Sequence, residues 1–202
     1  MFKSTPTFHS QVTDEDCVPA TVINAIRCFA VRRSISAELI RTVWAHAPRT
    51  SGGWDTQSNT KPLISQLSKF WRKKFPLRLA VQLFEGDAVQ QFAMPSMWKG
   101  DVVIAFNVYY SSAHDHYVLG LGIEDDKVLL FDPLPDDDVK AKVARGLYGK
   151  KLSALARSLG ANLAVPVDTF FGTKNKPYTL GPIETRECVR FRRRPKKLAT
   201  AG

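Results

Sequence analysis

The spacing of apolar residues changes near Pro76, and this change limits the folds that the chain can form. In the first part, segments beginning near Cys17, Ser36 and Asn59 repeat apolar residues every three to four positions, as helices packed on a core do. In the second part, β-branched and aromatic residues form short runs between turn formers, at residues 77–83, 102–109, 117–123 and 128–131. Helices followed by antiparallel strands predict an α+β fold and not an alternating βαβ series.

The length and composition fit one folded domain with a C-terminal tail. The chain has 202 residues, of which 44% are hydrophobic, and this is enough for a sizeable core. Helical patterns return at residues 139–145 and 151–159, and Gly160 is placed to end the second of these helices. We assign residues 1–185 to the domain and residues 186–202 to a basic, solvated tail.

The net charge of +10 raises the question of an anionic partner. Much of the excess charge lies in the cluster between Arg190 and Lys197. This cluster could contact an acidic partner or nucleic acid, although Phe191 is its only aromatic residue for base stacking.

The sequence gives no sign of export or of membrane insertion. The N-terminus lacks the apolar run of about 7–15 residues that a secretory signal needs. The longest apolar stretch, residues 102–108, is far shorter than the ~20 residues that span a bilayer. Cys17, Cys28 and Cys188 are too widely spaced for a disulfide framework and form no CxxC pair. We therefore expect a cytoplasmic protein, or one delivered into a host cytosol without a cleavable signal peptide.

Cys17 lies where a loop meets a helix, within the segment QVTDEDCVPA. Pro19 fits the first turn of a helix, so we expect the helix to begin near Cys17. A helix N-terminus favours a thiolate over a thiol and can stabilise a nearby oxyanion. Gln11 can return across the loop and donate its amide N–H to the same oxyanion. The acids at residues 14–16 would oppose a thiolate, so we expect them to face solvent or cap the helix.

A second candidate group lies in a predicted hairpin, where His116 enters one strand and Asp132 ends the next. Their side chains meet only if the pairing register puts them on one face. A two-residue turn at residues 125–126 would oppose Leu119 to Asp132 and separate the two groups. A three-residue turn would oppose Val118 to Asp132 and bring them together. We therefore predict an odd-numbered turn or a β-bulge, with one ring nitrogen facing the carboxylate and the other the thiol.

Each of these groups also allows a simpler interpretation. Cys17 could be a buried structural cysteine, and His116 with Asp132 could be a satisfied buried histidine. His114 and His116 could suggest a metal, but we find no convincing third and fourth ligands and expect no metal or other cofactor. Taken together, the thiol, imidazole and carboxylate supply the nucleophile, base and orienting acid of a triad.

The combined pattern resembles the bacteriocin-processing double-glycine peptidases and their stand-alone relatives, which are papain-like cysteine peptidases. The resemblance covers roughly residues 8–135 and rests on Gln11, on Asp-Cys-Val-Pro-Ala at Cys17, on His-Tyr-Val-Leu-Gly-Leu-Gly at His116 and on Phe-Asp-Pro at Asp132. It implies a papain-like fold, with an N-terminal helical part packed against a C-terminal antiparallel sheet. It also implies Gln11 in the oxyanion hole, Cys17 as nucleophile, His116 as base and Asp132 as orienting acid.

The chain departs from that family at two points. Val18 follows the nucleophile where the family usually has Gly, and this side chain could narrow the cleft. The family's transporter membrane region and ATPase have no counterpart here, so leader-peptide processing during export is not carried over. We expect substrate contacts at Gly53, Trp54 and His114.

The expected function is that of a thiol protease, which hydrolyses a protein or peptide substrate through an acyl-enzyme at Cys17. The same triad also serves deamidases, amidases and acyl transferases, which share the acyl-enzyme. A non-catalytic module that binds peptides or proteins is a further alternative. The sequence leaves these possibilities open.

Overall fold

A computed structural model of the chain describes residues 6–13, 16–30, 35–47, 56–73, 79–98, 102–111, 114–134 and 152–193. Helices dominate the first part of this described chain and strands dominate the second. The α+β layout expected from the periodicity is therefore present. Within the same ranges, no helix is both long enough and apolar enough to cross a membrane.

Three helices form the N-terminal part: α1 (Cys17–Arg27), α2 (Ala37–His46) and α3 (Thr56–Lys73). The first begins at the predicted residue, with Pro19 in its first turn. The second begins after Ser36, whose hydroxyl accepts a hydrogen bond from the N–H of Leu39 at 3.1 Å. The third begins one turn ahead of the predicted Asn59.

The strands are β1 (Leu79–Glu85), β2 (Val102–Ser111), β3 (His114–Glu124), β4 (Lys127–Phe131), β5 (Leu163–Pro166) and β6 (Glu187–Arg193). In the described residues they form one antiparallel sheet in the order β1, β6, β2, β3, β4, β5. The four predicted strands correspond to β1 to β4. The sequence analysis did not predict β5 or β6.

Shorter elements connect the strands. A π-helix (Val89–Ala93) runs into α4 (Met94–Trp98), α5 (Ala154–Ser158) precedes β5, α6 (Val167–Phe170) follows it, and a 3₁₀ turn (Ile183–Thr185) leads to β6. The helix expected at residues 151–159 is the shorter α5, and Gly160 ends it with a left-handed φ of 82°. The helix expected at residues 139–145 lies outside the described residues.

The predicted solvated tail from residue 186 onward is wrong for its first part. Strand β6 lies between β1 and β2 and pairs with both of them. Cys188 and Phe191 on this strand are buried, whereas Arg192 and Arg193 are exposed. The basic run is therefore part of a strand, and its arginines lie next to residues that are buried in the hydrophobic core. Residues 194–202, including the lysines of the cluster, lie outside the described chain.

The β3–β4 hairpin turns through two residues. Asp125 and Asp126 have φ values of 47° and 57°, in the left-handed region that a type I′ turn requires. Glu124 pairs with Lys127 across this turn. The three-residue turn named as one option is therefore wrong.

A β-bulge corrects the register instead, as the other option predicted. The pairing shifts by one residue between residues 120 and 122, and beyond this point Leu119 pairs with Phe131. Continuing this register carries Asp132 to the face of β3 that bears His116. The bulge thus has the effect that an odd-numbered turn would have had.

The sheet lies between two hydrophobic clusters. On one face, α1, α2 and α3 cover buried residues that include Tyr117, Leu119 and Val189. On the other face, α4 and α6 cover a second cluster that includes Phe106 and Val118. Because both faces are covered, the central strands are apolar on nearly every residue and polar groups in them require specific partners.

We expect Gly120→Ala to lower the free energy of unfolding by about 1–3 kcal/mol, because overpacking strains a filled core. A Cβ at this position would lie 2.6 Å from Cε2 of Phe106 and 3.0 Å from Cε of Met97. The matched control is Gly122→Ala across the bulge, where the nearest atom would be Cδ1 of Leu159 at 4.0 Å. This control should change stability by less than about 0.5 kcal/mol in urea denaturation. Equal losses in the two variants would contradict the packing described at the bulge.

Candidate active site

Helix α1 places Cys17 near the N-terminal end of β3. The hydroxyl of Thr21 donates a hydrogen bond to the carbonyl of Tyr117 at 3.0 Å, and both residues are buried. Thr21 lies about one helical turn beyond Cys17. Tyr117 directly follows His116. This hydrogen bond therefore joins the first turns of the helix to the strand residue next to the imidazole.

The segment before α1 is held at two points. The side-chain amide of Asn24 accepts from the N–H of His9 at 3.1 Å and donates to its carbonyl at 2.8 Å. Further along, the N–H of Gln11 donates to the carbonyl of Pro133 at 2.6 Å. Pro133 directly follows Asp132, so Gln11 lies beside the loop that carries this carboxylate. Gln11 is buried, and its Oε1 has no hydrogen-bond partner among the described residues.

The imidazole of His116 lies between the carboxylate and the thiol. Its Nε2 is 2.8 Å from Oδ1 of Asp132, and both side chains are buried. Because Nε2 is engaged by Asp132, Nδ1 is the nitrogen left for Cys17, whose side chain lies close enough to the ring to raise its pKa. Tyr110 packs against the same ring with 5.2 Å between centroids. The structure thus brings together the three side chains that the hairpin and helix patterns singled out.

Asp132 is surrounded by hydrogen-bond donors. Its Oδ1 also accepts the N–H of Leu134 at 2.9 Å, and its Oδ2 accepts the hydroxyl of Tyr178. The side chain of Asn162 clamps its backbone, accepting from the N–H and donating to the carbonyl, each at 2.8 Å. The carboxylate is therefore fixed through both its oxygens and its own peptide groups.

Sequence reasoning missed both Asn162 and Tyr178. The one available signal for Asn162 was its place as a polar residue directly before the apolar run at residues 163–165. Tyr178 carries no signal, because it lies in a loop and meets Asp132 only through the tertiary fold. Contacts between residues this far apart in the chain leave no local pattern.

Electrostatics favour an ion pair between His116 and Asp132. Burial alone would lower the pKa of His116, but the charge and hydrogen bond of Asp132, with a smaller contribution from Cys17, raise it from the ordinary 6.5 to about 10. Burial alone would raise the pKa of Asp132, but His116, Tyr178 and the N–H of Leu134 lower it overall. At neutral pH the pair is therefore imidazolium and carboxylate.

The other two cysteines have different surroundings. Burial strongly raises the pKa of the Cys28 thiol and of the Cys188 thiol, so both stay protonated at neutral pH. Cys28 donates to the carbonyl of Asn24 at 3.4 Å. Among the described side chains, neither of these thiols has the imidazole neighbour that Cys17 has. All three cysteines are free of disulfides.

The loop before Cys17 differs from expectation. Asp16 precedes α1 but its side chain makes no capping bond; its Oδ2 accepts the N–H of Thr13 at 3.1 Å, and Asp16 is buried. The expectation that it faces solvent or caps the helix is therefore wrong, because the tight loop needs the carboxylate as an internal acceptor. Val18 is 1% exposed and packs into the core. The other acids, residues 14–15, lie outside the described chain.

The residues expected to contact substrate are described only in part. Gly53 and Trp54 lie outside the described residues. His114 is the first residue of β3, where its backbone pairs with Ser111 across the end of the hairpin with β2. A role in substrate binding stays a prediction for all three.

Comparison with known proteins gives one distant likeness. No family model matches the chain, and no curated protein matches it. The structure is similar to the crystal structure of the peptidase domain of Streptococcus ComA, a bi-functional ABC transporter involved in a quorum-sensing pathway. The TM-score is 0.43 and the identity 15%, over 82% of this chain and 99% of that domain.

We expect the stability of the protein to fall between about pH 7 and pH 10, because His116 loses a proton that stabilises the fold. Its folded-state pKa of about 10 lies above the ordinary 6.5, so the stabilisation is complete below pH 6.5 and is lost as the pH rises through 10. Urea denaturation at several pH values measures this loss against His116→Gln, which cannot titrate at this position. A constant difference between the two proteins across this range would contradict the buried imidazolium.

Proposed function

We propose that the chain is a papain-like cysteine peptidase, which hydrolyses a peptide bond through an acyl-enzyme at Cys17. One observation carries the proposal. The buried imidazole of His116 hydrogen-bonds to Asp132, and the sulfur at the tip of α1 lies close enough to the same ring to raise its pKa. This is the order of nucleophile, base and orienting acid that covalent amide hydrolysis requires.

In the proposed acylation step, the Cys17 thiolate attacks the carbonyl carbon of the substrate. The carbonyl oxygen becomes an oxyanion, which accepts hydrogen bonds from the N–H of Cys17 and the side-chain amide of Gln11. As the C–N bond breaks, the imidazolium of His116 gives its proton to the leaving amine. The products of this step are the free amine and a thioester at Cys17.

In the proposed deacylation step, water attacks the thioester while neutral His116 removes a proton from it. The C–S bond then breaks, which releases the acid and restores the Cys17 thiolate and the imidazolium. Asp132 stays ionised throughout, and it keeps the ring oriented and stabilises its positive charge. The raised pKa of His116 supports this cycle, because it keeps the proton on the ring before substrate binds.

One feature supports a place for Gln11 in the oxyanion hole. Its backbone N–H is anchored to the carbonyl of Pro133, next to Asp132, so its side chain starts close to the triad. The proposed donor to the oxyanion is the side-chain N–H of Gln11, because the amide oxygen can only accept.

We further propose that the substrate is a protein or peptide and that Gly53, Trp54 and His114 contact it. The three free cysteines fit action in a reducing compartment, and we propose the cytoplasm. No cofactor takes part in the proposed steps.

We expect iodoacetamide at pH 7 to alkylate Cys17 at least about tenfold faster than Cys28 or Cys188, because the thiolate is the reactive form. Exposure alone predicts the opposite order for two of these residues, since Cys17 is 3% exposed and Cys28 is 8% exposed. Mass spectrometry of tryptic peptides measures the rates, and His116→Ala should remove the preference for Cys17. Alkylation of Cys28 as fast as that of Cys17 would contradict an activated nucleophile.

Cleavage itself requires a second measurement, because a binding module could retain a reactive thiol. A peptide library derived from a digested proteome should yield new termini with the wild-type protein. Cys17→Ala should lower the cleavage rate by a factor of about 10³ or more. Cys28→Ala is the matched control and should retain cleavage. Selective alkylation without any cleavage would support the non-catalytic alternative instead.

A further inference from the structure

Tyr178 is a buried tyrosine whose hydroxyl meets the acid of the triad. It is fully buried, and its hydroxyl donates to Oδ2 of Asp132. The opposite oxygen, Oδ1, is engaged by His116 and by the N–H of Leu134. Tyr178 therefore occupies the side of the carboxylate that faces away from the imidazole.

The backbone at Tyr178 is held in a conformation that few residues other than glycine adopt. Its φ is 62°, in the left-handed region, where a bulky side chain is disfavoured. Two hydrogen bonds to Tyr109 hold it there: the N–H of Tyr178 donates to the carbonyl of Tyr109, and the N–H of Tyr109 donates to the carbonyl of Thr179, both at 2.8 Å. This pairing attaches the loop to β2, so the position of the ring is set by the sheet.

A buried arginine fastens both ends of the same loop. Arg186 is 1% exposed, and its guanidinium donates to the carbonyls of Phe171 at 2.7 Å and Gly181 at 3.1 Å. It also donates to Oε1 of Gln90 in the π-helix at 3.0 Å. The segment that carries Tyr178 is thus held by hydrogen bonds from the buried guanidinium of Arg186 and by the hydrogen bonds to β2.

We propose that Tyr178 is a positioning residue for the proposed hydrolysis and acts through Asp132. Its hydroxyl fixes the second carboxylate oxygen, and this keeps Oδ1 directed at Nε2 of His116. The inference rests on the proposed function of the triad. It adds a fourth residue, supplied by a loop that carries none of the motifs.

The physical reason is the number of donors that a buried carboxylate needs. An ionised carboxylate has about four acceptor positions, and in a protein interior each unfilled position is costly. Without the hydroxyl, Oδ2 of Asp132 would lose its donor, so the carboxylate would be held through Oδ1 alone and would take up a proton more readily, and either change would weaken its hold on the imidazolium. Among the described residues, the ionisable side chains next to this pair are Cys17, Tyr110 and Tyr178. Glu187 binds Tyr117 and lies on the opposite face of β3.

We expect Tyr178→Phe to slow the alkylation of Cys17 by iodoacetamide about tenfold at pH 7, the effect of one lost hydrogen bond to a charged group. The matched control is Ser153→Ala, which removes the hydrogen bond from the Ser153 hydroxyl to the carboxylate of Glu124 at the other end of β3. It should lower stability yet leave the alkylation rate within about twofold. Equal slowing by both variants would overturn the inference.

A double-mutant cycle with Asp132→Ala tests whether Tyr178 acts through the carboxylate. If it does, Tyr178→Phe slows alkylation about tenfold in the wild type and less than about twofold in the Asp132→Ala background. A purely structural role would slow alkylation equally in both backgrounds and would contradict the inference. Each variant is first checked for cooperative urea unfolding, and Asp132→Asn replaces Asp132→Ala if the latter does not fold.

The alkylation rates distinguish a wrong triad from a wrong role for Tyr178. If Asp132→Ala and His116→Ala leave Cys17 alkylation at the wild-type rate, the triad itself is wrong. If they slow it but Tyr178→Phe does not, the triad stands and the role of Tyr178 is wrong.

Discussion

The contact between His116 and Asp132 is the constraint on which the rest of the site depends. Two charges buried in a protein interior are stable only if their remaining hydrogen-bonding positions are filled. Asp132 meets this condition through Leu134, Tyr178 and the clamp from Asn162, which come from three separate parts of the chain. The pair therefore depends on residues that are distant in sequence. Their hydrogen bonds keep Asp132 ionised, and its negative charge keeps the pKa of the His116 imidazole raised.

Hydrogen bonds between elements that are distant in sequence hold the Cys17 thiol beside this pair. Thr21 ties α1 to the strand that carries His116, and Gln11 ties the preceding segment to the loop after Asp132. Neither bond is part of the proposed chemistry, yet each determines where a reacting group lies. The fold thus brings the sulfur at the tip of α1 next to a ring that is already protonated.

The sequence predicted the placement of Cys17, His116 and Asp132 better than it predicted the sheet. The helix start at Cys17 and the need for an odd register in the hairpin follow from local rules, and both are present. The bulge itself was one of two options, because local sequence does not say where an extra residue is accommodated. Strand β6 was missed because its arginines resemble a solvated tail, and only pairing with β1 and β2 reveals the buried residues between them. Tyr178 was missed because its left-handed backbone is imposed by tertiary contacts.

The central claim is that a buried carboxylate keeps His116 positively charged beside Cys17. The most direct measurement is ¹⁵N NMR of histidine-labelled protein at pH 8, with the His116 signals assigned by their absence in His116→Gln. The account predicts that both ring nitrogens of His116 carry a proton at this pH, since the pKa is raised to about 10, and that Asp132→Asn returns the ring to the neutral form. A neutral His116 ring in the wild-type protein at pH 8 would contradict the account.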